Sequence, residues 1–323
     1  DTRSLQDMNY DLVLKMGFST PQAVYTKSNV LHHANSRWTK EFWIGGEPSR
    51  VSIDYNLDYL IATRYVPQYD RAINIPPSET AVEYSYWSSA QKDIYQAGNL
   101  QMSMGAPGDH PQLGLTPTWV ALWLNTFDYR LAEKSIGNAE LAAAWPVHYR
   151  EGNNAKNYEV SGTNIISGIG KEISVRSRPT LLAVTTTSRI NGLAYCGSNN
   201  PSCPVNSVCS VSAACAADTI VPVSRVTNSG WRPDQAHQTN THAEVAFLTG
   251  DFFFFEEAFF WASYATLASE NRGPTGTGSP SLGAGGGIIY SDNERRNAWP
   301  ARSRLWAAVL APDGSPQQIL HSQ

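Results

Sequence analysis

Residues 231–272 read WRPDQAHQTNTHAEVAFLTGDFFFFEEAFFWASYATLASENR. Two histidines and several amides come first, then a turn at Gly250-Asp251, then four phenylalanines with Glu256 and Glu257 behind them. A run such as Phe252–Phe255 covers every direction around a helix, and a helix apolar on all sides is buried on all sides. The phenylalanines therefore read as core within a helix over 252–269. A preceding helix over 234–248 would turn His237 and His242 toward an interior.

The same form recurs on both sides of this stretch. Residues 123–145, WLNTFDYRLAEKSIGNAELAAAW, and 307–320, AAVLAPDGSPQQIL, each give an apolar helix end, a short turn carrying aspartate and a second helix. The aspartates Asp128, Asp251 and Asp313 suit N-caps, where a carboxylate accepts from free backbone N–H groups and meets the positive end of the helix dipole. Pro117 suits a first helical turn, with Trp119, Leu122, Trp123 and Phe127 forming a stripe after it. Leu57, Leu60, Ile61 and Tyr65 fall at helical spacing and end at Pro67. Tandem helical pairs stack into a solenoid or close into an α/α toroid.

Before residue 56 the period is two. In RWTKEFWIG, residues 37–45, Trp38, Lys40 and Phe42 share one face of an expected strand. AVYTKSNVLHH, residues 23–33, reads as a strand with a Lys-Ser-Asn turn. The expectation is a mainly α protein of toroid-like helical hairpins. A short antiparallel β portion over 1–55, the tail of an upstream β domain, would precede a toroid-like domain over 56–323. Long ordered loops would be inserted at 150–230 and 271–292.

Composition narrows the function. Charged residues make up 16% of the chain and aromatics 11%, against roughly a quarter charged in ordinary soluble domains. A net charge of -4 gives no positive field for nucleic acid. No apolar run reaches the roughly 20 residues that span a bilayer, and the N-terminal stretch lacks a basic head before an apolar segment, so a signal peptide is expected to be already removed. Cys196, Cys203, Cys209 and Cys215 crowd into one Ser/Asn/Pro-rich stretch without zinc-knuckle spacing or a nearby histidine. They read as local disulfides, with neighbour pairing 196–203 and 209–215 preferred among three connectivities, and so as a secreted protein.

The blocks RPDQAHQTNTHAEVAFLTGD, PQLGLTPTWVALWLNTFDYRLAEKSIGNAELAAAWPVHYRE and FWIGGEPSRVSIDYNLDYLIATRYVPQYD resemble segments of large uncharacterised bacterial secreted proteins. The resemblance spans most of residues 38–316 and rests on scattered Trp, His, Asp and Pro positions. It implies an architecture similar to the six-hairpin toroids of glycoside hydrolases and polysaccharide lyases, β region first, and carries no established activity over. A complete ring needs more helices than this chain offers, which reads as one part of a longer protein.

Two clusters carry candidate chemistry. WPVHYRE places His148, Tyr149, Arg150 and Glu151 directly after a helix stopped at Pro146: base, phenol, cation and carboxylate on one loop. WRPDQAHQTNTH supplies Trp231, Arg232, Asp234, His237, Gln238 and His242, with 234, 237 and 238 on one helical face. A hydrolase needs two carboxylates, and a lyase needs a base and a group that neutralises a uronate. In a carbohydrate-active reading His237 or Tyr149 moves the proton, Asp234 and Arg150 complete the catalytic set, and Trp231 stacks on a sugar ring. Arg232, Gln238, His148 and Glu151 then bind the glycan. The bland roles are a cap for Asp234, a hydrogen-bonded interior histidine, and a solvated loop at 148–151. His237 and His242 lie five apart and diverge, so no metal is expected, and no cofactor motif occurs. Asp54, Asn56 and Asp58 suit helix capping, and the required glycine and distal glutamate of a calcium loop are missing. The competing class is a non-catalytic subunit of an extracellular assembly or filament, completed by neighbouring or identical subunits, and a third is a lectin-like binder of glycan.

Overall fold

The computed structural model of the chain describes residues 7–68, 70, 72–103, 110–150, 170–173, 230–267, 294–315 and 317–318, together with the backbones of seven short strands between 158 and 220. It opens on a hairpin of β1 (Met8–Met16) and β2 (Gln22–His32), paired antiparallel. Gly17 begins the connection at φ 117, a conformation that glycine takes without a Cβ clash. The Lys-Ser-Asn stretch of β2 is not a turn. It is a bulge opposite Asp11, with Asn29 at φ 54 and its N–H donating to the Asp11 carboxylate at 2.9 Å. Residues 37–45 are not a strand either: they run irregularly from the hairpin over the helical body.

The helices are α1 (Leu57–Ala62), α2 (Pro77–Ser88), α3 (Thr118–Thr126), α4 (Tyr129–Ala142), α5 (Ala243–Thr249), α6 (Phe252–Leu267) and α7 (Glu294–Leu310). Asn56 caps α1 by accepting from Tyr59 N. Asp128 caps α4, accepting from the Arg130 backbone at 2.8 Å and from its guanidinium. Asp251 accepts from Phe253 N at 2.9 Å where α6 begins. The two-residue links 127–128 and 250–251 make α3–α4 and α5–α6 helical hairpins. Between α4 and the 3-10 turn Gln235–His237 lie β3 (Tyr158–Ser161) paired with β4 (Asn164–Ile166), β5 (Leu181–Ala183) parallel to β9 (Asp218–Ile220), and the β6 (Leu193–Tyr195)–β7 (Val208–Ser210)–β8 (Cys215–Ala216) sheet.

The helices do not form a toroid. Every residue from Glu257 to Leu267 is buried, so α6 lies inside the body where a toroid would be hollow. The helix expected over 234–248 breaks into the 3-10 turn, a non-helical stretch at 238–241 and the short α5, which leaves no inner-helix wall there. The burial of α6 is also displaced along its axis. Phe252 is 69% exposed and only Phe254 of the four phenylalanines is fully buried, so the continuously buried part of the helix starts at Glu257, the second of the acidic pair.

A hairpin this small needs a partner to be stable. Its inner face finds one in Asp93, whose carboxylate accepts from Tyr25 Oη at 2.7 Å and Lys27 Nζ at 2.9 Å, with Lys40 at 3.4 Å. Burial pushes the Asp93 carboxyl up, and the bonds from Tyr25 and Lys27 outweigh it and hold the group well below the usual carboxylate range.

Candidate functional site

One buried polar cluster gathers around Glu257. A carboxylate on a helix buried all round must be paired, because an isolated charge there is very costly. Its Oε1 and Oε2 accept from His148 Nε2 at 3.0 and 2.8 Å. The other ring nitrogen, Nδ1, faces the Asn35 carbonyl at 2.8 Å. Both nitrogens thus point at acceptors, an arrangement that only the imidazolium satisfies in full. Arg37 Nε lies 3.4 Å from Glu257, and its Nη1 donates to Glu256 at 2.9 Å. The Arg37 and Arg150 guanidinium carbons stand 4.4 Å from the ring centroids of Phe253 and Phe260. Burial pushes the Glu257 carboxyl up, but the attraction and hydrogen bond of His148, then His242 and Arg37, bring it below the usual value. His242 itself donates through Nε2 to the Ala139 carbonyl at 3.0 Å, and burial drives its pKa down to about 4.

A second buried cluster joins α5 to α7. Glu244 accepts from Thr116 Oγ1 at 2.6 Å and Asn240 Nδ2 at 3.2 Å, and burial raises its carboxyl to about 7. Arg302 donates to the carbonyls of Gly114 and Gln238, the latter at 2.6 Å, and burial lowers its guanidinium to about 10.

The expected site residues divide among these settings. His148 enters the Glu257 cluster. Arg150 lies at its rim, exposed, donating to the Gly170 carbonyl at 2.6 Å and 3.7 Å from Glu256. Tyr149, between them in sequence, turns into the hydrophobic core. Trp231 is also core: it meets Trp145 edge-on at 4.8 Å and donates to the Tyr95 carbonyl, so it offers no face to a sugar. Asp234 caps the 3-10 turn through Ala236 N at 2.6 Å and lies 3.3 Å from His237 Nδ1, while Arg295 stands 3.3 Å from Nε2. Gln238 is buried, accepting from Ser303 Oγ at 2.8 Å. Arg232 is exposed, with its backbone N–H on the Met102 carbonyl. Glu151, Cys196 and Cys203 lie outside the described residues. Cys209 and Cys215 are register partners across β7 and β8, with their side chains outside the description.

Arg37, Glu256, Glu257, Glu244 and Arg302 were not among the expected site residues. The signal for the glutamates was present in the sequence: two acids inside an otherwise apolar helix require partners. Their partners lie more than a hundred residues away, and no local pattern names them.

One open cleft, ≈ 310 Å³ in volume, lies at the start of α1 and is lined by Asp54, Tyr55, Asn56, Asp58, Asn125 and Phe127 among others. Among the described residues no group of three His, Cys, Asp or Glu is placed to hold a metal, and no helix is long and apolar enough to cross a membrane. Comparison with known proteins finds no matching family model, no matching curated protein and no matching solved structure.

Proposed function

We propose that the chain is a non-catalytic structural subunit of an extracellular assembly. The observation that carries this reading is the placement of the proton-handling groups His148, Tyr149 and Glu257. His148 has both ring nitrogens committed, its partner Glu257 is 0% exposed, and Tyr149 and Trp231 are packed in the core. Groups held in this way fix the geometry of an interior and do not reach a polymer outside it. Apolar side chains meanwhile stand in solvent on the hairpin and the strap after it, including Phe18, Ile44, Val51 and Ile53. The clustered cysteines support a location outside the cytosol.

The test is to incubate the purified chain with a panel of extracellular polysaccharides and analyse products by mass spectrometry. The expected result is no cleavage. Oligosaccharide release that is lost in His148→Ala or His237→Ala would overturn the reading.

The cleft at α1 favours a second reading, glycan binding without cleavage. Its carboxylates and amides beside Tyr55 and Phe127 combine hydrogen-bonding groups with aromatic surface, the pairing that a sugar ring needs. Binding on a glycan array that Asp54→Ala and Asn125→Ala abolish would support it, and binding unaffected by both would remove it.

A further inference from the structure

β1 keeps an unbroken two-residue period. Tyr10, Leu12, Leu14 and Met16 are half-buried, and Asn9, Asp11, Val13 and Lys15 are exposed. Both irregularities of the hairpin fall on β2. From Tyr10↔Val30 to Leu12↔Lys27, β1 advances two residues and β2 three; from Leu14↔Tyr25 to Lys15↔Ala23, β1 advances one and β2 two. Extra residues bend a strand and interrupt its ladder, which is one way that proteins blunt a sheet edge. β2 is blunted in this way and β1 is not. Among the described residues β1 pairs with β2 alone, so its second edge carries no strand.

Charge selects the strand that fits this edge. An antiparallel copy of β1 centred on Val13 sets Val13 against Val13, Leu12 against Leu14 and Asp11 against Lys15, the last pair twice by symmetry. Opposite charges directly across a sheet stabilise it, and like charges there oppose pairing. β2 cannot match itself in this way, because Gln22–His32 contains Lys27 and no carboxylate. We infer that β1 is a self-complementary docking edge at which a second copy of this chain pairs antiparallel across a twofold axis. The product is a four-stranded sheet in the order β2–β1–β1–β2, an isologous contact made by strand addition. The inference rests on the assembly reading for its purpose and supplies a contact for it.

Sedimentation velocity of the full chain over a concentration series tests it, with circular dichroism of each variant as the check on folding. The wild-type chain is expected to dimerise reversibly. Lys15→Asp places Asp against Asp at both symmetric positions and weakens the dimer by about tenfold or more. Asp11→Lys does the same with the opposite sign, although it also removes the acceptor for Asn29 N. The double variant Asp11→Lys/Lys15→Asp restores dimerisation, a rescue that general destabilisation of the hairpin would not give. Val13→Cys, at the centre of the register, is expected under a mild oxidant (aerobic copper-phenanthroline, which takes up the two electrons) to link two chains through a disulfide between the two introduced thiols, identified by peptide mapping. A dimer indifferent to Lys15→Asp overturns the strand contact and leaves assembly through another surface standing. A chain monomeric at every concentration also overturns the contact, whereas the assembly reading itself falls to polysaccharide cleavage.

Discussion

Glu257 stands where the continuously buried part of α6 begins, with both carboxylate oxygens within 3.0 Å of His148 Nε2, and that one contact ties three distant parts of the chain together. His148 follows the turn after α4 and reaches back to the Asn35 carbonyl, so the segment leaving the hairpin docks on the helical core through the same imidazole. Arg37, two residues on, closes the cluster from the other side and donates its backbone N–H to the Ala143 carbonyl.

Removing one partner of such a pair leaves an uncompensated charge in the interior. Glu257→Ala is therefore expected to cost about 3–5 kcal/mol in urea unfolding. Exchanging both groups for apolar ones removes the charge and its need together, so Glu257→Leu with His148→Leu is expected to be clearly less destabilising than the sum of the single changes. A double-mutant cycle measures this, and strict additivity would show that the two groups do not act as a unit.

Acid stability follows from the neighbouring imidazole. The pKa of His242 is about 4 in the folded chain and about 6.5 when unfolded. The unfolded state then binds a proton first as pH falls, so stability from this group is complete above the unfolded value and declines toward pH 4. The loss amounts to about 3 kcal/mol. Glu257, depressed by its cations, adds a further loss below the ordinary glutamate value. In His242→Gln the decline between neutral pH and pH 4.5, read from urea midpoints, is expected to shrink by most of the first contribution.

Glu244 has the opposite sign. Its carboxyl is raised to about 7, above an unfolded value of about 4.3, so the folded state holds the proton more tightly. Its contribution is whole below the unfolded value and is lost as pH rises toward 7. Glu244→Gln keeps the acceptor for Thr116 and cannot ionise. Its stability relative to wild type is expected to improve from pH 5 to pH 8, and a constant difference between the two pH values would contradict the assignment.

The elements legible in the sequence were those whose signals are local. Asp128 and Asp251 announced the starts of α4 and α6, and they accept from the first-turn backbone as their chemistry requires. Alternation misled at 37–45, because Trp38 and Arg37 take up tertiary partners, Tyr10 and Glu256, in place of a strand neighbour. Periodicity misled at 234–248. Gln238 and Asn240 spend their side chains on Ser303 and the Leu115 carbonyl, and the Gln238 carbonyl accepts from Arg302, so the backbone there leaves the helix. His237 does lie 3.3 Å from Asp234, three residues before it, but the two meet across a 3-10 turn that Asp234 caps and not on the helical face expected for 234, 237 and 238. The burial of Tyr149 and Trp231 depends on where other helices pack, and no spacing rule contains that.

Gly137 tests how closely two of those helices pack. It lies inside α4, and intrinsic propensity alone would make Gly137→Ala stabilising by about 1 kcal/mol. The space is already filled: a Cβ at this position would lie 2.3 Å from Trp87 Cζ2 and 2.4 Å from its Cη2. Trp87 is the buried anchor of α2, and its Nε1 donates to Glu133 one turn before the glycine at 3.0 Å. The ring cannot swing away without breaking that bond and leaving the core. Gly137→Ala is therefore expected to destabilise, with an overpacking cost of about 1–3 kcal/mol exceeding the helical gain. In the background of Trp87→Leu, which clears the indole, the same change should recover its favourable sign; a penalty that persisted there would place the obstruction elsewhere than on the α2–α4 contact.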